Sequence, residues 1–225
     1  MQKSRVISSA IVAVGFSAPS VAQPFIDGRI PIDRVSGSVA IGDTNAYAQT
    51  FTTPEAGRID FIGVSIYRNP GATADVAYRL IELSGNALPN INTAAIAEGE
   101  ISIGDIPLNP DFPQGVPSSS PLTTIDISDA GIDVSAGDNF AIMLLSQNSI
   151  SDFSTWVTWL QGVETFDGGM ALSSFDSGTT FDPFRVNLFE PDTFDLGFTV
   201  NVIPAPSVGS VGLLSAFLIS RRRRG

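Results

Sequence analysis

The segment FDLGFTVNV, residues 194–202, alternates apolar residues with polar or small ones along its whole length. The apolar positions are Phe194, Leu196, Phe198, Val200 and Val202. The intervening positions are Asp195, Gly197, Thr199 and Asn201. Successive side chains of a β-strand point to opposite faces, so this period of two predicts a strand with its apolar face in a core. Where the opposite face meets solvent, Thr199 is expected to tolerate substitution much better than Phe198.

Other segments carry the same signal. NFAIMLLS (139–146) has apolar residues at both alternating sets of positions, as in a strand buried on both sides. In TTIDIS (123–128), Asp126 is expected to be exposed between Ile125 and Ile127. RIDFIGVSIYR (58–68) and DVAYRLIEL (75–83) are rich in β-forming residues, and the NPGATA that joins them is typical of a turn. AYAQTFTTP (46–54) and GMALSSF (169–175) are shorter strand candidates.

These short strands are separated by Gly, Pro, Asn and Asp, and no segment shows a convincing amphipathic helix of three turns. The proline-rich GDIPLNPDFPQGVPSSSP (104–121) predicts a long loop. The pattern therefore predicts an all-β domain over residues 23–203, an antiparallel β-sandwich of jelly-roll type.

The N-terminus has the layout of a secretory signal peptide. Lys3 and Arg5 form a positive region, an apolar stretch follows over residues 6–18, and Ser20-Val21-Ala22 is an A-x-A-like cleavage site. Residues 1–22 are therefore predicted to be removed by cleavage between Ala22 and Gln23.

The charge distribution excludes nucleic acid as a partner. Residues 23–203 hold 6 of the 12 basic residues and all 23 acidic ones, so this segment carries 6 − 23 = −17. Binding to phosphates requires clustered Lys and Arg, which displace counterions. The acidic segment offers no such cluster.

The absent residue types exclude several kinds of catalysis. The chain has no Cys and no His, and its only Lys is Lys3 in the predicted signal peptide. Thiolate nucleophiles, Cys or His metal ligands and lysine Schiff bases are therefore excluded from the mature domain. A glycoside hydrolase that uses two carboxylates is the enzyme class left open, but no motif selects a pair. The sequence favours a non-catalytic protein without a cofactor.

Four acidic residues in DISDAGIDVSAGD (126–138) form the candidate metal site. They are Asp126, Asp129, Asp133 and Asp138. Calcium prefers several carboxylate and carbonyl oxygens, although the spacing here does not match an EF-hand loop. The alternative is that these residues shape turns, as Asp and Gly commonly do.

The two tryptophans form the candidate ligand-stacking site. In FSTWVTWLQG (153–162), Trp156 and Trp159 are three residues apart, so on a strand they face opposite sides. One indole can then lie in the core while the other stacks on a sugar ring. The alternative is that both serve only for packing.

The C-terminus ends in a short apolar run and four arginines. The run Val208–Ile219 has 12 residues, about 18 Å as a helix, whereas the hydrocarbon core of a bilayer is about 30 Å thick. The basic cluster is Arg221, Arg222, Arg223 and Arg224. Such a cluster stays on the cytoplasmic side of a membrane. Together with the signal peptide, the tail predicts an intermediate held in the inner membrane with its domain outside.

Pro204-Ala205-Pro206, the apolar run and Arg221–Arg224 resemble the PEP-CTERM sorting signal of Gram-negative bacteria. In that family a Pro-Glu-Pro motif, a transmembrane segment and a basic cluster are recognised by exosortase, a membrane cysteine protease. Ala205 stands where the family usually has Glu. The resemblance covers residues 204–225 and implies export, exosortase as a partner and a place at the cell envelope, cell surface or extracellular matrix with exopolysaccharide.

The domain resembles, over short pieces, the carbohydrate-binding type of β-sandwich found in surface proteins. These pieces are residues 48–67, 76–83, 132–145 and 166–174. Two functions therefore stay open for the domain. One is a structural or interaction role in the envelope or the exopolysaccharide, and the other is a carbohydrate-binding module, with or without calcium.

Overall fold

A computed structural model describes residues 25–31, 35–85, 87–113, 122–163, 166–184 and 194–205. The predicted signal peptide with its Ala22–Gln23 cleavage site, and the tail from Pro206 onward with Arg221 to Arg224, lie outside these residues. The described part is all-β, with antiparallel sheets and three single-turn 3-10 helices at Ile103–Asp105, Ser128–Ala130 and Phe153–Thr155.

The described residues form fifteen strands, which are numbered in chain order. They are β1 (Phe25–Gly28), β2 (Val35–Ile41), β3 (Ala46–Thr52), β4 (Gly57–Val64), β5 (Ile66–Arg68), β6 (Val76–Leu83), β7 (Ala97–Ile101), β8 (Thr123–Asp126), β9 (Asp133–Val134), β10 (Asn139–Ser146), β11 (Val157–Val163), β12 (Ala171–Ser174), β13 (Asp182–Pro183), β14 (Phe194–Leu196) and β15 (Phe198–Pro204).

The strands build two packed layers, which gives a β-sandwich-like architecture. The first layer is a six-stranded sheet in the order β13-β12-β3-β10-β6-β7. The second layer consists of two sheets. In one, the order is β1-β15-β4-β8 with β9 also paired to β4; in the other, it is β14-β11-β2 with β5 also paired to β11. Side chains of both layers meet in one large apolar cluster, which is the core of the sandwich.

The two sheets of the second layer meet at a backbone junction of Ser65, Leu160 and Gly197. The Ser65 N–H donates to the Gly197 carbonyl at 2.8 Å, the Gly197 N–H to the Leu160 carbonyl at 3.0 Å, and the Leu160 N–H to the Ser65 carbonyl at 3.0 Å. At this junction β4 continues into β5, and β14 continues into β15. On one side of the junction, β5 and β14 pair with β11. On the other side, their continuations β4 and β15 pair with each other.

A glycine is required at position 197 by close packing. A Cβ added there would lie 2.8 Å from both side-chain atoms of Ser65, closer than real Cβ contacts occur. The Ser65 side chain therefore occupies the space that any larger residue at position 197 would need.

The prediction for NFAIMLLS is confirmed. Phe140, Ile142 and Leu144 of β10 point into the core, whereas Ala141 and Met143 are buried on the other side of the six-stranded sheet. On that side Met143 belongs to a smaller apolar cluster. Asp126 is likewise exposed between the buried Ile125 and Ile127, as predicted.

The prediction for residues 194–202 is confirmed for one face and wrong for the other. All five apolar residues lie in the core, but the segment forms two strands of different sheets rather than one strand. The opposite face does not meet solvent, since Asp195, Thr199 and Asn201 are 2%, 1% and 6% exposed. The alternation continues across Gly197 unchanged, so the pattern itself carries no sign of the break.

Candidate functional site

Two of the four predicted calcium ligands shape turns. Asp126 ends β8, and one of its carboxylate oxygens accepts hydrogen bonds from the Ser128 amide (3.0 Å) and the Ser128 hydroxyl (2.7 Å). Asp138 accepts one from the Ser135 amide at 2.7 Å. The hydrogen bonds from Ser128, first the amide and then the hydroxyl, hold the pKa of the Asp126 carboxyl below its ordinary value.

The other two predicted ligands are exposed, Asp129 in a 3-10 helix and Asp133 in β9. Within the described ranges no group of three or more acidic side chains is placed to hold a metal ion. The structure therefore assigns a turn-forming role to Asp126 and Asp138, and calcium binding stays a prediction.

The two tryptophans have different environments, and only Trp156 has the partly exposed ring that the predicted stacking role requires. Trp159 in β11 is fully buried, and its indole N–H donates to the Gly197 carbonyl at 2.8 Å. No face of this ring is open to a ligand. Trp156, immediately before β11, is half-buried, and its indole N–H donates to the Ile150 carbonyl at 3.0 Å.

Trp156 belongs to an aromatic cluster at the surface, formed with Phe112 and Phe153. The Phe153 ring lies edge-on to Trp156 with centroids 4.8 Å apart and stacks on Phe112 at 5.5 Å. All three residues are half-buried. Asp152 accepts a hydrogen bond from the Ser154 amide at 2.9 Å and so caps the 3-10 helix that carries Phe153. The cluster presents apolar ring surface of the kind that stacks on sugars.

A second candidate surface is a cleft of about 170 Å³ between β7 and β8. We call it the acidic cleft. It is lined by Tyr78, Glu100, Ile101, Ser102, Asp105, Thr123, Thr124, Ile125 and Asp126. Strand β7 is the last strand of the first layer and β8 the last of its row in the second, so the cleft lies where the two layers end without pairing.

One wall of the acidic cleft is the Tyr78 ring. Tyr78 lies opposite Gly99 in the β6–β7 pairing, and a Cβ at Gly99 would lie 2.8 Å from the Tyr78 hydroxyl oxygen. The absence of a side chain at position 99 thus lets the ring lie across β7. Burial first, and then the negative charge of Asp126, raise the pKa of the Tyr78 phenol. The phenol therefore stays protonated and can donate a hydrogen bond.

The carboxylates of the acidic cleft have no basic partner in the cleft lining. The ion pairs among the described residues are Arg29–Asp27 at 2.6 Å and Arg79–Glu98 at 3.1 Å, and neither includes Glu100, Asp105 or Asp126. Asp75 accepts a hydrogen bond from the Ile103 amide at 2.7 Å and so fixes the turn that carries Asp105.

Thr123 adds a buried hydroxyl that lacks a partner. Its side chain is 7% exposed and lines the acidic cleft, yet its Oγ1 makes no hydrogen bond. Leaving a buried hydroxyl unpaired costs about 1–3 kcal/mol, so a water or a ligand group that pairs with Thr123 Oγ1 would remove this penalty.

The predicted sorting motif begins at the last residue of β15. Pro204 is the last residue of β15, and Ala205 is exposed, with its N–H donating to the Ala56 carbonyl at 3.3 Å. Pro206 and the arginines lie outside the described residues. Among the residues described, no helix has both the length and the apolar character needed to cross a bilayer.

No protein-family model matches this chain, and no curated protein is significantly similar to it. Local sequence patterns do not predict the acidic cleft, because its residues come from three separate segments, at 78, 100–105 and 123–126. Of its acidic residues, only Asp126 belongs to the predicted calcium site, where its neighbours are close in sequence rather than Glu100 and Asp105.

Proposed function

We propose that this chain is an exported protein that exosortase sorts to the cell envelope, cell surface or extracellular matrix of a Gram-negative bacterium. The observation that carries the proposal is the position of the Pro204-Ala205-Pro206 motif. The last strand of the sandwich ends at Pro204, and Ala205 is exposed. A protease that recognises this motif would therefore meet it at the edge of a folded domain.

The N-terminal layout and the terminal arginines support the same proposal and predict the orientation of the chain in the membrane. A signal peptide over residues 1–22 leads the chain through the inner membrane, and Arg221 to Arg224 keep the end of the tail on the cytoplasmic side. The inner membrane is then a transient partner, and residues 204–225 are a sorting signal.

The finer fold that fits this proposal is a jelly roll, which has eight strands in two antiparallel sheets. One sheet would consist of β2, β11, β5 with its continuation β4, and β8. The other would consist of β3, β10, β6 and β7. The segment β14–β15 then acts as an insertion that separates β11 from β4 beyond the junction. Jelly rolls are common as stable binding scaffolds outside the cell.

The role proposed for the sandwich is structural or interactive rather than catalytic. Its strong negative charge keeps it soluble and apart from anionic lipid surfaces. A neutral or cationic polysaccharide of the matrix is the compatible partner, because an anionic one would be repelled.

A second candidate function is carbohydrate binding at the aromatic cluster of Phe112, Phe153 and Trp156. The half-buried rings and the fixed Trp156 indole favour it, because a held aromatic face loses little entropy when a sugar stacks on it. A glycan array probed with and without EDTA tests both the binding and the predicted calcium dependence. Loss of the signal in Trp156→Ala, with Phe175→Ala as the exposed control, is the expected result.

The sorting proposal is tested by fractionating four host strains. One produces the wild-type protein, one lacks exosortase, and two produce substituted proteins. Wild type is expected in the envelope or matrix in a processed form. Deletion of exosortase should leave the unprocessed chain in the inner membrane. Replacement of Arg221 to Arg224 with Ser should release unprocessed protein, because the tail is no longer retained. A Glu55→Gln control should behave as wild type, and identical fractionation of all four would contradict the proposal.

A further inference from the structure

We propose that the acidic cleft between β7 and β8 binds a small organic cation that carries hydroxyl groups, such as the protonated amino sugar of a matrix polysaccharide. The inference concerns a different surface from the aromatic cluster, and it does not depend on processing by exosortase. It rests on the charge, the hydrogen-bonding groups and the size of the cleft.

The charge of the cleft selects a cation. Glu100, Asp105 and Asp126 are the acidic residues of the cleft lining, and no basic residue lines the cleft with them. Ionised carboxylates only accept hydrogen bonds, whereas an ammonium group only donates them. A protonated amine therefore matches the cleft in charge and in hydrogen bonding. The Tyr78 ring adds an aromatic wall, which attracts cations through its face.

The unpaired Thr123 hydroxyl and its neighbours select a ligand with hydroxyl groups. Thr123 Oγ1 is buried in the cleft wall without a partner, and Ser102 and Thr124 line the same cleft. A hydroxyl both donates and accepts, so a ligand hydroxyl placed here would satisfy Thr123 and remove the penalty of leaving it unpaired. A simple alkylamine would leave that penalty in place.

The size of the cleft selects a small ligand. Its volume of about 170 Å³ is below the roughly 300–1,000 Å³ of pockets for drug-sized molecules. One sugar ring, or the terminal ring of a longer chain, is the matching size. A metal ion is the weaker match, because no three acidic side chains among the described residues are arranged to hold one.

The test is an NMR titration of the full-length protein, followed at the amides of Gly99, Thr123 and Asp126. The probes are glucosamine, glucose, N-acetylglucosamine, putrescine and calcium chloride. We expect glucosamine to bind with a Kd on the order of 1 mM. Its binding should weaken at high NaCl, because the screening length shortens from about 8 Å at 0.15 M to about 3 Å at 1 M. The other four probes should bind at least about fivefold more weakly.

Three variants localise the site. Glu100→Gln and Asp126→Asn should each weaken glucosamine binding about fivefold, since each removes one exposed charge. At position 126 the amide oxygen can still accept the hydrogen bonds from Ser128. Glu82→Gln removes an exposed carboxylate elsewhere on β6 and should bind as wild type. Equal binding of glucose and glucosamine, equal binding of putrescine, binding of calcium alone, or the same loss in Glu82→Gln would each overturn the proposal.

Discussion

Two regions of the second layer differ in how their polar groups are paired: the junction between its two sheets and the acidic cleft at its β8 edge. At the junction of Ser65, Leu160 and Gly197, three backbone hydrogen bonds of 2.8–3.0 Å join two sheets, and Trp159 adds a fourth bond to the Gly197 carbonyl. At the acidic cleft, by contrast, β7 and β8 end their layers without pairing, and the buried Thr123 hydroxyl has no partner.

The difference separates a region that stabilises the fold, the junction, from a region for which we propose ligand binding, the acidic cleft. The backbone groups at the junction are satisfied inside the protein, so this region can be buried. In the binding that we propose, the polar groups at the cleft are satisfied by a molecule from outside. Substitutions at the junction should therefore change the free energy of unfolding, whereas substitutions of the exposed cleft carboxylates Glu100 and Asp126 should change binding and leave stability nearly unaltered.

The largest effect is expected from emptying the core beside the junction. Phe198 is fully buried and packs against Phe51 and Phe166, with ring centroids 5.9 and 5.2 Å away. Phe198→Ala should lower the free energy of unfolding by about 3–5 kcal/mol in urea melts, because a buried aromatic site is left empty. Phe175→Ala is the control, since Phe175 is 70% exposed, and it should change by less than about 0.5 kcal/mol. Similar losses in both variants would contradict the packing described.

The next effect is expected at the junction itself. Gly197→Ala places a methyl group 2.8 Å from the Ser65 side chain, so the strands must separate slightly. We expect a loss of about 1–3 kcal/mol in the free energy of unfolding. Gly104→Ala is the matched control, because the nearest atom to its added Cβ is 3.7 Å away, and it should cost less than about 1 kcal/mol. A neutral Gly197→Ala would remove the argument for a tight junction.

A smaller effect of opposite sign is expected on removing the unpaired hydroxyls. Thr199 Oγ1 lies one strand position from Phe198 and is buried without a hydrogen bond, as Thr123 Oγ1 is at the cleft. Valine keeps the shape and removes the unpaired group, so Thr199→Val should raise the free energy of unfolding by about 1 kcal/mol. Thr123→Val should do the same and also weaken glucosamine binding, which Thr199→Val should not. A loss of stability in both variants would mean that the hydroxyls have partners.

The smallest effect concerns pH at the cleft. The amide and hydroxyl of Ser128 lower the pKa of Asp126, so their stabilisation is present above the usual aspartate value of about 3.9 and is lost as the pH falls below it. A carbon NMR titration of the Asp126 carboxyl should give a midpoint below that value, and Ser128→Ala should move the midpoint upward. A midpoint at or above about 3.9 in the wild type would contradict the hydrogen bonding described.

Local features of the sequence predict much of this fold. Alternation locates the core face of residues 194–202 and the two buried faces of β10, because these depend only on which side chains share a face. The separation of Trp156 from the buried Trp159 follows from the same rule. The proline-rich segment contributes no strand in its described part, residues 104–113, where Leu108 makes only an isolated bridge to Arg68.

Features that depend on distant partners could not be predicted. On the polar face of residues 194–202, the buried Asp195 has a partner remote in sequence, Gln49, which donates to its carboxylate at 3.2 Å and accepts from the Leu196 amide at 2.7 Å. The break at Gly197 depends on contact with Ser65 and Leu160. The acidic cleft likewise needs three segments to meet, so only Asp126 among its carboxylates could be singled out.

The central claim, that the sandwich is an exported domain whose C-terminal segment is a sorting signal, is tested most directly by the intact mass of the protein isolated from its host. The account predicts a mature chain that begins at Gln23 and ends before Arg221, without the apolar run and the arginines. A mass that corresponds to a chain ending at Gly225 would contradict it and would make the tail a permanent part of the protein.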